Sequence, residues 1–109
     1  MIKAVIFHDA LGRIKGFKVK GHAGYSEAGK DIVCSAVTAI VFTTLGSLEE
    51  QVGFKDYKES DGFIECKVPE SLGESESYIA DIILRTLEIG LRQIELDYSE
   101  YIQVYYEEV

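Results

Sequence analysis

The sequence predicts an α+β fold: a two-layer sandwich in which two helices pack on one face of a largely antiparallel sheet. Three observations support this. Short segments with alternating apolar and polar residues occur near both ends of the chain and in its middle. Two longer segments carry apolar residues at helical spacing, and turn signals join neighbouring strand segments. The predicted order is β-β-α-β-β-α-β, within a single domain covering residues 1–109.

The first two predicted strands form a hairpin. Residues 2–7 alternate in the manner of a strand, and a second alternating run places Phe17 and Val19 on one side and lysines on the other. Residues 9–12 can form the turn between them.

The first predicted helix follows a glycine-rich loop. Its apolar residues recur at helical spacing between positions 32 and 48, and residues 47–53 end it. Asp31 is the predicted N-cap, because its carboxylate can accept the free N–H groups of the first turn. Short strands are predicted at 54–58 and 63–68, joined by the turn signal at 60–62.

A second helix and a last strand complete the chain. The polar residues 73–77 start the helix, and alternation at 101–106 predicts the strand. The predicted apolar face of the helix consists of Ile79, Ile82, Ile83, Leu87, Leu91 and Ile94.

The composition is that of a globular, acidic protein. Nineteen acidic residues against eleven basic ones give a net charge of −8, which argues against direct nucleic-acid binding and is compatible with a basic partner. The longest apolar run, residues 32–45, is interrupted by Ser and Thr and falls short of the ~20 residues that span a bilayer. We therefore expect a cytoplasmic protein without a membrane partner, whose two cysteines are free thiols.

One stretch combines a rare histidine with a rare cysteine. Cys34 comes three residues after the predicted cap, in the first helical turn, where unpaired N–H groups favour a thiolate. His22 comes at the end of a predicted strand, and the glycines at 21, 24 and 29 allow the chain to loop back between the two. This pattern predicts a nucleophilic thiol with a histidine as its base, a pair that requires no metal or cofactor.

Other interpretations of these residues stay open. Asp31 either orients the imidazole or only caps the helix. A lone cysteine on an apolar helix is usually a core residue, and Cys66 alternates with apolar residues in a strand as core residues do. A zinc site built from His8, His22, Cys34 and Cys66 lacks ligand spacing, and no other residue in the sequence is an evident partner for His8.

The same stretch resembles the signature of a known family. The block Gly-His-Ala-Gly-Tyr at residues 21–25, the following Gly29 and the run Asp-Ile-Val-Cys at residues 31–34 are similar to the ribosomal-processing cysteine protease family, Prp. The resemblance implies Cys34 as the nucleophile and His22 as the general base and acid. It also implies substrate or loop roles for residues around them: Gly21, Gly24, Tyr25, Gly29, Ser35 and Thr38.

The resemblance further implies a homodimeric endopeptidase with a mobile loop between the histidine and the cysteine. Its expected substrate is a ribosomal protein of the large subunit, whose N-terminal extension is removed by cutting after aromatic residues. Where the family often has Ala and Ser, this chain has Ser35 and Thr38. The alternative hypothesis is an acidic, ribosome-associated binding module without enzymatic activity, in which Cys34 is merely buried.

Overall fold

The computed structural model describes residues 1–27 and 30–109 and contains five strands and two helices. In chain order these are β1 (Ile2–His8), β2 (Ile14–Lys20), α1 (Ile32–Val52), β3 (Lys58–Ser60), β4 (Phe63–Lys67), α2 (Glu74–Tyr98) and β5 (Ile102–Glu108). The predicted α+β class and element order are confirmed.

The strands form one mixed sheet in the order β3-β4-β2-β1-β5. Three neighbouring pairs are antiparallel, whereas β5 runs parallel to β1, with Ile2 opposite Ile102. The last strand thus lies beside the first, because α2 carries the chain across one face of the sheet before β5 begins. The sheet is therefore largely, but not entirely, antiparallel.

Both helices share one core with one face of the sheet. The alternation in β1 and β2 points Ile6 and Phe17 inward at paired positions, and Cys66 of β4 lies opposite Phe17. From the helices the core receives Val33, Val37, Val41, Leu45 and Leu48 of α1 and Ala80, Leu84, Leu87 and Leu91 of α2. This arrangement confirms the two-layer sandwich.

Helix α1 is long and largely apolar. It ends at Val52, with Gly53 as a left-handed C-cap, inside the predicted range. Among the residues that the structure describes, α1 is the helix that is long and apolar enough to cross a membrane. It is longer than the apolar run at residues 32–45 that is evident in the sequence. Six of its residues nevertheless lie buried in the protein core, so in this fold α1 is a core helix.

Two local predictions were wrong. A strand was predicted at 54–58, but β3 begins only at Lys58. Phe54 instead belongs to the end of α1, because its side chain is buried and its N–H donates to the Leu48 carbonyl. On α2, Ile82 is 48% exposed instead of facing the core. The buried stripe passes through Ala80 and Leu84, and this turns Ile82 outward.

Candidate active site

A glycine at the end of β2 positions His22. Gly21 has a φ of +97°, and a Cβ there would lie 2.3 Å from the Met1 carbonyl oxygen. Its N–H donates to the Gly62 carbonyl in the β3–β4 turn at 2.8 Å. Only glycine fits this close approach, so the chain leaves the sheet at a fixed point and His22 follows directly.

Cys34 lies in the first turn of α1 and is half-buried. The backbone N–H of Ala23 donates to its sulfur at 3.4 Å. The Ala23 amide is therefore directed at the sulfur. The loop residue next to His22 thus contacts the Cys34 side chain.

Asp31 is buried between the loop and the helix, and its carboxylate accepts four backbone amides. Oδ1 receives the N–H groups of Val33 and Cys34, each at 3.0 Å. Oδ2 receives those of Tyr25 at 3.0 Å and Ser26 at 3.3 Å. The hydrogen bond from Cys34, aided by the other three, lowers the pKa of Asp31 although partial desolvation opposes this.

This geometry bears on both interpretations of Asp31. The residue caps α1 and anchors the loop, and within residues 1–27 and 30–109 no hydrogen bond or ion pair joins it to His22. Backbone amides at a helix start can stabilise an oxyanion, but that of Cys34 is already bonded to Asp31. The amide directed at the Cys34 sulfur is that of Ala23.

Two clefts meet at Cys34. The first, the apolar cleft, has a volume of about 210 Å³ and is lined by Val41, Phe42, Phe63 and Ile64 among others. The second, the loop cleft, has a volume of about 610 Å³ and is lined mainly by the loop and the exposed side of α1. Cys34, His22 and Thr38 line both clefts. Both clefts therefore reach the Cys34 thiol.

The remaining predicted site residues divide into three groups. Gly24 and Ser35 line the loop cleft with Thr38. Tyr25 lies outside it, with its ring edge-to-face on Tyr98 at 5.8 Å and on Tyr101 at 5.1 Å. Gly29 lies outside the described residues. The loop is thus held by Asp31 through its backbone and by two tyrosines through Tyr25.

His8 and Cys66 lie away from these clefts. His8 ends β1 opposite Ile14, about 20 Å along the strand from Ile2, which lines the apolar cleft. Cys66 is 1% exposed, and burial, reinforced by the negative charge of Asp56, raises the pKa of its thiol to about 12. In the part of the chain that the structure describes, no three His, Cys, Asp or Glu residues are grouped to hold a metal ion.

The carboxylate that faces His22 was missed from the sequence. Asp61 Oδ2 lies 4.0 Å from His22 Nε2. The sequence marked Asp61 only as part of a turn. Nothing in its spacing indicates that this turn meets the end of β2, because that contact depends on the pairing of β4 with β2.

Comparisons with known proteins agree on one family. The family model for cysteine protease Prp matches residues 1–103. The ribosomal processing cysteine protease Prp of Bacillus subtilis is 33% identical over 107 residues, which cover 95% of this chain and 96% of that protein.

Two solved structures from S. aureus have the same fold. Both are of the essential ribosomal processing protease Prp, one with a covalently linked product peptide and one with a substrate peptide. The first superposes with a TM-score of 0.87 at 26% identity, covering 98% of this chain and 100% of that one. The second has a TM-score of 0.81 at 25% identity, with the same coverage.

Proposed function

The chain belongs to the cysteine protease Prp family and is a cysteine protease, and we propose that it removes the N-terminal extension of a large-subunit ribosomal protein. Cys34 is the proposed nucleophile and His22 the proposed general base and acid. One observation carries this assignment: both side chains line both clefts, so a peptide bound there would lie against both of them.

The proposed reaction is acyl transfer through sulfur. His22 takes the proton of the Cys34 thiol, and the sulfur attacks the carbonyl carbon of the scissile peptide bond. His22 then gives the proton to the departing amine, and water hydrolyses the thioester to release the acid. Before the attack, the Ala23 amide and the start of α1 stabilise the thiolate. None of these steps requires a metal or a cofactor.

The proposed substrate has an aromatic residue before the scissile bond. The apolar cleft supports this, because Phe42 and Phe63 both line it and offer apolar surface to an aromatic side chain. The relatives named above are ribosomal processing proteases, and ribosomal proteins are basic. A net charge of −8 attracts such a substrate, and we place the reaction in the cytoplasm.

We propose that the protein works as a homodimer, joined through the outer surface of the helices. Helix α1 has no charged residue from Ile32 to Ser47, and α2 exposes Ile82 and Ile89. A second copy would cover these exposed apolar side chains of α2 together with the uncharged side of α1. Light scattering after size-exclusion chromatography tests this, since Ile89→Glu should shift a dimer to a monomer. A monomeric wild-type protein would contradict it.

The experiment for the main proposal uses the ribosomal protein of the same host, made with its N-terminal extension. Wild-type protein should shorten it, as measured by intact mass, whereas Cys34→Ala and His22→Ala should not. Cys66→Ala is the matched cysteine control and should still cleave. Cleavage by Cys34→Ala at the wild-type rate would overturn the assignment. Binding without cleavage by the wild type would favour the binding-module alternative.

A further inference from the structure

The β3–β4 turn places a carboxylate near His22, and none of the proposed reaction steps involves it. Asp61 Oδ2 lies 4.0 Å from His22 Nε2, while both oxygens of Asp31 are occupied by backbone amides. Among the described residues, Asp61 is the acidic side chain paired with the imidazole. Its position follows from the hairpin, in which Ser60 pairs with Phe63.

Two further contacts fix this turn against His22. The Gly62 carbonyl accepts the Gly21 N–H at 2.8 Å, one residue before the histidine. The imidazole itself lies against Gly62, because a Cβ there would be 2.8 Å from Nε2 and 3.3 Å from Cε1. Asp61 and the ring are therefore held by neighbouring backbone, and their approach does not depend on the side chains alone.

We propose that Asp61 is a positioning residue, whose carboxylate orients the His22 ring and stabilises the imidazolium that forms in the reaction. The inference rests on the proposed function. When the Cys34 thiol proton moves to His22, the ring gains a positive charge and Asp61 balances it. When His22 passes that proton to the leaving amine, Asp61 remains a carboxylate throughout.

The exposure of the pair indicates that this effect is strongest when a peptide is bound. In the free protein the side chains of His22 and Asp61 are 68% and 99% exposed, so water screens their attraction. Ser60, Gly62 and Phe63 also line the apolar cleft, so a bound peptide covers the same turn. Removing water strengthens the attraction, and long contacts in a free enzyme commonly shorten once substrate is bound.

The first test is Asp61→Asn, measured with an uncharged fluorogenic peptide so that charge does not alter substrate association. We expect kcat to fall about tenfold while KM stays within about twofold, with partial recovery in Asp61→Glu. Asp97→Asn, on the exposed side of α2, changes the net charge equally and should match the wild type. An unchanged kcat in Asp61→Asn would overturn the proposal.

A second pair of variants tests the contact with the ring. Gly62→Ala and Gly12→Ala both place a side chain at positive φ, +65° and +84°, but only the first adds an atom against His22. We expect Gly62→Ala to lose more of kcat than Asp61→Asn, and Gly12→Ala to keep it. Thermal unfolding should show similar destabilisation of both. Equal activity of the two glycine variants would count against positioning by this turn.

The alkylation rate of Cys34 separates this inference from the proposed function. Iodoacetamide at pH 7 reports thiolate without any substrate. Because water only weakens the His22–Asp61 attraction in the free protein, Asp61→Asn should slow the reaction with Cys34 relative to Asp97→Asn, but by a smaller factor than it lowers kcat. If wild-type protein cleaves no peptide but this difference is found, the proposed function fails and the positioning role stands. If cleavage is normal and neither kcat nor alkylation changes, the positioning role alone fails.

Discussion

The two oxygens of the Asp31 side chain hold two different segments of the chain. Oδ1 caps α1 through Val33 and Cys34, and Oδ2 holds the loop through Tyr25 and Ser26. Asn can replace only one of these acceptors, because its NH₂ group is a donor. Asp31→Asn should therefore keep the cap, lose the loop bonds and lower the cleavage rate. Normal amide exchange rates of Tyr25 and Ser26 in this variant would contradict the prediction.

The lowered pKa of Asp31 predicts that the stability of the protein depends on pH. Its pKa in the folded protein lies below the value of about 3.9 in an unfolded chain. The stabilisation is therefore fully present above pH ~3.9 and is lost as the pH falls through the folded value. In urea unfolding, the wild type should have a larger free energy of unfolding than Asp31→Asn at pH 7, and this difference should shrink at pH 3. An equal difference at both pH values would contradict the prediction.

The two cysteines should differ in reactivity. Cys34 lines both clefts, whereas Cys66 is buried with a pKa raised to about 12. With limiting iodoacetamide at pH 8, peptide mass mapping should find Cys34 modified at least an order of magnitude faster. In urea both should react. Equal protection of the two thiols in the native protein would identify Cys34 as a core residue and remove it as the nucleophile.

At the scale of elements, the loop between β2 and α1 is attached to the far end of the chain. Tyr25 packs edge-to-face on Tyr98, in the last turn of α2, and on Tyr101, just before β5. Each such contact contributes about 0.5–1.5 kcal/mol. The position of the loop over the thiol therefore depends on how α2 ends.

Replacing Tyr25 by Ala should loosen this loop without unfolding the protein. Hydrogen exchange of the backbone amides of residues 22–27 should become faster, because the ring contacts that restrain the loop are gone. Tyr57→Ala is the matched control, since Tyr57 is equally exposed and loses one edge contact with Phe42. Faster loop exchange in the control as well would mean that Tyr25 is not the specific restraint.

Local sequence patterns predicted most helices and strands, because hydrophobic periodicity and helix caps depend only on residues that are close in the sequence. Asp31 as a cap and residues 101–106 as a strand are examples. The parallel pairing of β5 with β1 was missed, since nothing in either strand specifies its partner. Asp61 was missed for the same reason: its approach to His22 depends on how distant strands pair. The sequence thus indicated Cys34 and His22 as the proposed pair, but not the carboxylate beside His22.

At the scale of the whole molecule, the excess of acidic residues predicts salt-dependent cleavage. A net charge of −8 should draw in a basic substrate, and salt screens exposed charges beyond about 10 Å at 0.1 M. Raising the salt concentration should therefore lower kcat/KM for the extended ribosomal protein while changing kcat much less. An uncharged peptide is the control and should show little change. A kcat/KM that does not depend on salt would remove electrostatic steering from the account.

The parallel pair β1–β5 has a consequence for the biosynthesis of the protein. β1 leaves a translating ribosome well before its partner β5, and the Ile2 N–H bonds to the Tyr101 carbonyl. Such distant pairing makes folding slow, because a long loop must close first. Since Tyr101 also contacts Tyr25 of the loop near Cys34, the proposed catalytic centre is incomplete in a nascent chain that still lacks β5. Proteolytic activity therefore arises only after translation has passed β5, and not while the first strands leave the tunnel.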